Sequence, residues 1–274
     1  MMANSPEVSR TIHHREQVMG TVVTFDIYSD DHVAQHDVYV HIARARAILQ
    51  HADALFSTWK EHSPISRIRR GEITLDEAPA EVTAVLEACA EARAISGGWF
   101  DPWAMPGGVD PTGYVKGWAA QRALDALARA GVKGAIVNAA GDIATSGYPE
   151  AGKLFRIGVL NPHAPGRLAC VVELVGAIAT SATYERGKHL IDPHSDQCCS
   201  RAASASVTGP DLGLADALAT ALAVAGEEGL ATIEALANYE GFIIGWDGSW
   251  SCTANFPFAS DMSPGANRMP TIGA

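Results

Sequence analysis

Four stretches of the chain hold residues whose types and spacing could do chemistry. In Leu214-Ala215-Asp216-Ala217-Leu218-Ala219-Thr220, Leu214 and Leu218 continue to Leu222 as an apolar stripe at i, i+4, i+8, while Asp216 and Thr220 lie four apart on another stripe and point the same way. Two hard oxygen donors presented together suit a magnesium ion, which takes few protein oxygens and fills its shell from water and substrate phosphate. A solvated aspartate beside a threonine bonded to its own helix accounts for the same spacing. In Val109-Asp110-Pro111-Thr112-Gly113-Tyr114-Val115-Lys116-Gly117 a turn enters a helix and Lys116 falls in its first turns. Backbone amides at a helix start attract anions, and a lysine there can meet a phosphate as a point charge; a surface lysine is the alternative. Gly117 follows Lys116, so the GxxxxGK[ST] pattern is absent and a P-loop NTPase is excluded. In Lys188-His189-Leu190-Ile191-Asp192-Pro193 the histidine could serve as a base, a positioning group or a structural residue. In Asn138-Ala139-Ala140-Gly141-Asp142 small residues let a ligand approach the backbone, or simply make a turn. Trp99, Phe100 and Trp103 could stack on a planar ligand ring, or fill a core.

These residues must be held by elements that the periodicity outlines. Alternation over residues 18–28 predicts a half-buried strand, and helical spacing predicts helices over 33–56, 80–95, 114–130 and 214–225. Short apolar runs predict strands at 135–137, 155–160, 170–179, 242–246 and 251–254. Strands and helices do not alternate strictly, which favours an α+β fold over a doubly wound parallel sheet. Residues 97–113, rich in proline and glycine, read as an ordered loop. We expect an N-terminal extension over 1–17, one domain over 18–256 and a loosely ordered tail over 257–274.

Composition narrows the class further. With 47% hydrophobic and 19% charged residues the chain can bury a large core. Twenty basic against 31 acidic residues give a net charge of -11, which argues against nucleic acid as a partner. The same deficit means that a bound pyrophosphate needs a local cation to offset the field. No apolar run reaches the roughly 20 residues of a membrane span, and residues 1–17 show no apolar leader or lipid-attachment cysteine, so a cytoplasmic protein without membrane insertion is expected. Five cysteines without a CxxC pair read as reduced thiols.

In order along the chain, these stretches resemble the ApbE family of FAD:protein FMN transferases from about residue 18 to residue 222. The resemblance runs through Met19-Gly20-Thr21 on the first strand, Phe56-Ser57-Thr58-Trp59, Gly98-Trp99-Phe100-Asp101-Pro102, and the Asp110 to Gly117 turn. It continues through Asn138 to Asp142, Ala179-Thr180-Ser181, His189 to Pro193 and Ala215 to Thr220. It implies an ApbE-like fold, with mixed sheets and flanking helices around a central FAD cleft. It also implies that FAD is gripped by Met19, Trp59, Trp99, Phe100, Asp101, Asp110 and Lys116, with Thr180 and His189 at the same site. Mg2+ would be held by the Gly113 carbonyl, Asp216 and Thr220. The implied reaction is attack of a Ser or Thr hydroxyl of an acceptor protein on the FMN phosphorus, with AMP leaving; Asp216 and His189 are the implied catalytic residues, His189 for the hydroxyl proton. Three family glycines are replaced, giving Thr112-Gly113, Ala140-Gly141 and Thr180-Ser181-Ala182, and the family's DPxTG reads Asp192-Pro193-His194-Ser195-Asp196. Hydrolysis of FAD to FMN and AMP, or FAD carriage without catalysis, are the alternatives at the same site.

Overall fold

The computed structural model describes residues 10–30, 32–182, 191–195, 197–198, 200–261 and 263–264. The chain opens with a hairpin of β1 (Arg10–Val18) and β2 (Thr21–Ser29), paired from Arg10↔Ser29 to Val18↔Thr21. Residues 10–17, set aside from the sequence as an extension, are therefore part of the sheet. Met19 and Gly20 are the two-residue turn, at φ 53° and 70°, the left-handed pair that matches the twist of a tight hairpin. Met19 thus sits beside the strand rather than on it, and as a non-glycine residue it holds a conformation that L side chains disfavour.

Three helices then cover one face: α1 (Gln35–Phe56), the short α2 (Pro64–Arg69) and α3 (Ala80–Ile95). Along α1, Val38, Ile42, Ala45, Leu49, Ala52 and Phe56 are buried at helical spacing, whereas Val40, Ala43 and Ala47, whose spacing suggested the buried stripe, are exposed. The Ser63 hydroxyl caps α2 by accepting the Ser66 N–H at 3.0 Å. After the long loop comes α4 (Thr112–Ala128), followed by β3 (Gly134–Ala139) and β4 (Asp142–Gly147). Next are β5 (Phe155–Leu160), β6 (Leu168–Leu174) and β7 (Gly176–Ala182). The expected strand over 170–179 is two strands, broken at Val175, because β6 pairs with β5 while β7 joins the main sheet. The short pair β8 (Ile191–Asp192) and β9 (Gln197–Cys198) precedes β10 (Ser204–Gly209), α5 (Leu212–Ala225), α6 (Glu228–Glu234), β11 (Glu240–Ile244) and β12 (Trp250–Cys252).

The main sheet has eight strands in the order β1-β2-β3-β4-β7-β10-β11-β12, every neighbouring pair antiparallel. The architecture is the α+β one expected. Side chains alternate across the sheet and feed two cores. Ile243 joins α1, α4 and α5 in the larger one, whereas Phe242 and Ile244 face the β5–β6 hairpin in the smaller. Residues 257–261, assigned from the sequence to a loose tail, are docked on that hairpin. Phe258 bridges Val172, the Glu173 N–H donates to the Pro257 carbonyl at 3.0 Å, and the Ala259 N–H donates to the Val171 carbonyl at 2.8 Å. Apolar burial of Phe256 and Ala259 holds the segment there, which local composition did not reveal.

Candidate active site

The site forms where α4 meets α5. Just ahead of α4, Asp110 Oδ1 accepts the Thr112 N–H at 3.0 Å and fixes the turn into the helix. Gly113 and Gly117 then let the two helices touch. A Cβ on Gly117 would lie 2.3 Å from the Leu212 carbonyl oxygen and 3.0 Å from the Asp216 Cβ; one on Gly113 would lie 3.4 Å from Thr220 Oγ1. The contact brings the Gly117 N–H to Asp216 Oδ2 at 3.1 Å. An α-helix would give that N–H to the Gly113 carbonyl, so that carbonyl shares its usual donor with Asp216. Gly113, Asp216 and Thr220, paired by the sequence reading only as an expectation, are neighbours.

Lys116 projects from α4 toward the sheet. Its ammonium forms an ion pair with Asp142 Oδ2 and stands 3.8 Å from Asp216 Oδ2. The sequence suggested a phosphate partner for this lysine; its partner here is a fully buried carboxylate at the start of β4. Asp142 in turn accepts the Thr180 N–H from β7 at 3.2 Å, and the Thr180 hydroxyl hydrogen-bonds Ser206 Oγ on β10 at 2.8 Å. Sequence reasoning placed Asp142 only within a turn of small residues and did not single out Ser206 at all.

A cleft of about 820 Å³, its open mouth included, lies above this floor. Trp99, Phe100, Asp101, Pro102, Met105 and Asp110 line one side, Thr180, Ser181, Ala182 and Ile191 another, and Lys116, Asp216 and Thr220 the base. The Trp99 ring meets His194 edge-on with centroids 4.3 Å apart, and the Arg201 guanidinium stands 4.9 Å from its centre. Asp101 is occupied in shaping the loop: Arg93 reaches it at 2.6 Å and the Trp103 N–H donates to it at 2.9 Å. Arg69, on α2, clamps the same loop by donating to the carbonyls of Pro106, Gly108 and Val109, and lies 3.9 Å from Asp110. No motif marks Arg69, because its role depends on α2 packing beneath a loop distant in sequence.

Two expected FAD contacts are not brought to this cleft. Trp59 is 95% exposed on the loop after α1, and Met19 packs against the main core from its turn. His189 lies outside the described residues; His194 is the histidine seen at the rim. Behind the site, burial and the negative charge of Asp216 push the Cys89 thiol up to about 12, so it is no thiolate ligand at neutral pH. Among the described residues no three His, Cys, Asp or Glu side chains cluster, and no helix is long and apolar enough to cross a membrane.

The sequence model of the ApbE family matches residues 19–107 and 104–243. The chain belongs to this family. Curated ApbE-type relatives include an FAD:protein FMN transferase of Rhodobacter capsulatus, 34% identical over 129 residues, 44% of this chain and 24% of that protein. Another, of the same name, is from Vibrio cholerae serotype O1, 33% identical over 139 residues, 46% of this chain and 42% of that protein. The matched stretches thus span less than half the length of these relatives. Among solved structures, the flavin transferase ApbE from Vibrio cholerae superposes with a TM-score of 0.76 at 20% identity, covering 92% of this chain and 98% of that one. The ApbE protein of Thermotoga maritima gives 0.78 at 20% identity, covering 90% and 98%. These two likenesses establish a shared fold.

Proposed function

We propose that this chain is an FAD:protein FMN transferase that uses Mg2+, takes FAD as substrate and places FMN on a Ser or Thr hydroxyl of an acceptor protein, releasing AMP. The observation that carries the reading is the meeting of Gly113, Lys116, Asp216 and Thr220 on the floor of one aromatic-walled cleft, in a family whose curated relatives bear that name. The donor set fits the ion. A single carboxylate, a hydroxyl and a carbonyl are the hard oxygens that Mg2+ prefers, and they leave most of its shell to water and phosphate. When bound, the ion supplies the positive charge that a pyrophosphate needs in a chain of net charge -11.

The protein's own groups do the rest by position and charge. Lys116 presents an ammonium to a phosphate oxygen from the floor of the cleft, and Trp99 and Phe100 offer ring faces and edges to the flavin. The acceptor hydroxyl oxygen bonds to the FMN phosphorus while the phosphorus–oxygen bond to AMP breaks, and AMP leaves with its phosphate. We assign the hydroxyl proton to His189. Asp101, Asp110 and Arg69 hold the loop that carries the aromatic wall.

The test is incubation of the full chain with FAD, magnesium chloride and a panel of acceptor domains bearing Ser or Thr, followed by mass spectrometry. Equal amounts of AMP and FMN-bearing acceptor are expected. Free FMN and AMP without acceptor would mark a hydrolase, and intact bound FAD under all conditions a carrier. In the same assay His189→Ala should still bind FAD yet lose transfer by about 100-fold if it is a general base. Full rescue by saturating FAD would instead make it a binding residue.

A further inference from the structure

We infer that Asp142, which the reaction scheme above leaves unused, is a positioning residue: its buried carboxylate holds the Lys116 ammonium so that a divalent cation, rather than the lysine, neutralises Asp216. The inference rests on the reading of Asp216 as a metal ligand. One ammonium has two carboxylates within reach, paired with Asp142 and 3.8 Å from Asp216. Asp142 has no exposed surface, whereas Asp216, 6% exposed, still reaches the cleft wall. An unpaired charge costs most where solvent is absent, so the lysine is held by the deeper partner. The sheet fixes that partner in place. The Thr180 N–H on β7 binds the other Asp142 oxygen at 3.2 Å, and Thr180 is tied to Ser206 on β10.

Asp216 belongs to a different frame, because it rides on α5 and takes the Gly117 N–H of α4. The sheet therefore sets the ammonium and the helix pair sets the carboxylate, with the two 3.8 Å apart and beyond direct hydrogen-bonding distance. Without Asp142 the nearest carboxylate to Lys116 among the described residues is Asp216, and an incoming cation must compete with the lysine for the same oxygens.

Titration of the full chain with Mn2+ alone, followed by electron paramagnetic resonance, tests this without relying on turnover. Asp142→Asn should bind Mn2+ roughly 10- to 100-fold more weakly, the range seen when groups supporting a ligand are removed. Adding Lys116→Met to that variant should return affinity to the wild-type level or above, since the competing ammonium is gone. Unchanged Mn2+ affinity in Asp142→Asn overturns the inference. So does a loss that persists in the double variant, which would mean that Asp142 acts by its own charge. If the single variant does not fold, the neutral double variant decides: binding weaker than wild type refutes the positioning role. Failure of the wild-type chain to bind Mn2+ at all would remove the metal reading of Asp216 and this inference with it, whereas the other outcomes bear on Asp142 alone.

Discussion

Asp216 shows how two demands meet in one side chain. It lies in the pair Asp216/Thr220 that helix geometry aligns, and it also accepts the buried Gly117 N–H. Replacing it with alanine would remove one of the two acceptors that share that N–H and leave a gap where α4 meets α5, and so confuse folding with function. Asp216→Asn keeps an acceptor oxygen while removing the charge. We therefore expect Asp216→Asn to melt within a few degrees of wild type but to lose Mg2+-dependent transfer; retained transfer would remove Asp216 from the metal site. The spacing of Asp216 and Thr220 was legible because four residues along one helix is local geometry. The pairing of Lys116 with Asp142 was not, because it joins a helix to a strand through tertiary packing.

At the scale of elements, the site depends on how closely α4 and α5 approach. Gly117→Ala would drive a methyl group to 2.3 Å from the Leu212 carbonyl, so the helices must separate. Overpacking of this kind costs up to about 3 kcal/mol. Calorimetry should show the lower melting temperature, and Mg2+ affinity should fall with it; a variant of normal stability would mean that the helix contact is looser than the structure shows. The β3–β4 hairpin poses the opposite case. Ala140, where the family resemblance implied a glycine, adopts φ 52° ahead of Gly141 at φ 94°, and the Gly141 N–H donates to the Asn138 side chain. Relief of a left-handed alanine is worth roughly 1 kcal/mol, so Ala140→Gly should raise the chemical-denaturation midpoint. An unchanged or lower midpoint would show that the turn is not strained.

For the whole molecule, one eight-stranded sheet divides two cores, and the face carrying α4 and α5 holds Lys116, Asp216 and Thr220. The smaller core, with Phe155, Phe242 and Phe256, lies on the other face and is completed by residues just past 256. Phe256→Ala should cost about 3–5 kcal/mol as a buried aromatic removed from a packed cluster. At temperatures where it remains folded it should bind FAD as wild type does, measured by fluorescence titration; a large loss of FAD affinity would mean that the two faces are coupled.

The α+β class, α1, α3, α4, α5 and β5 could be read from the chain because each carries its own period or its own breakers. The strands β4 and β10 could not: Asp142-Ile143-Ala144-Thr145 and Ser204-Ala205-Ser206-Val207 are short runs of mostly small and polar residues without a strong apolar signal, buried in the middle of the sheet by their neighbours. The sequence by itself determined the four long helices and the local alignment of Asp216 with Thr220, since both follow from residue types a few positions apart, while the short α2 and α6 were not read from it. Only the tertiary structure decided that Lys116 lies between Asp142 and Asp216, that Trp59 stands away from the cleft, and that Arg69 clamps its loop. Those relations depend on strand order and helix approach, which are set by contacts between segments far apart along the chain.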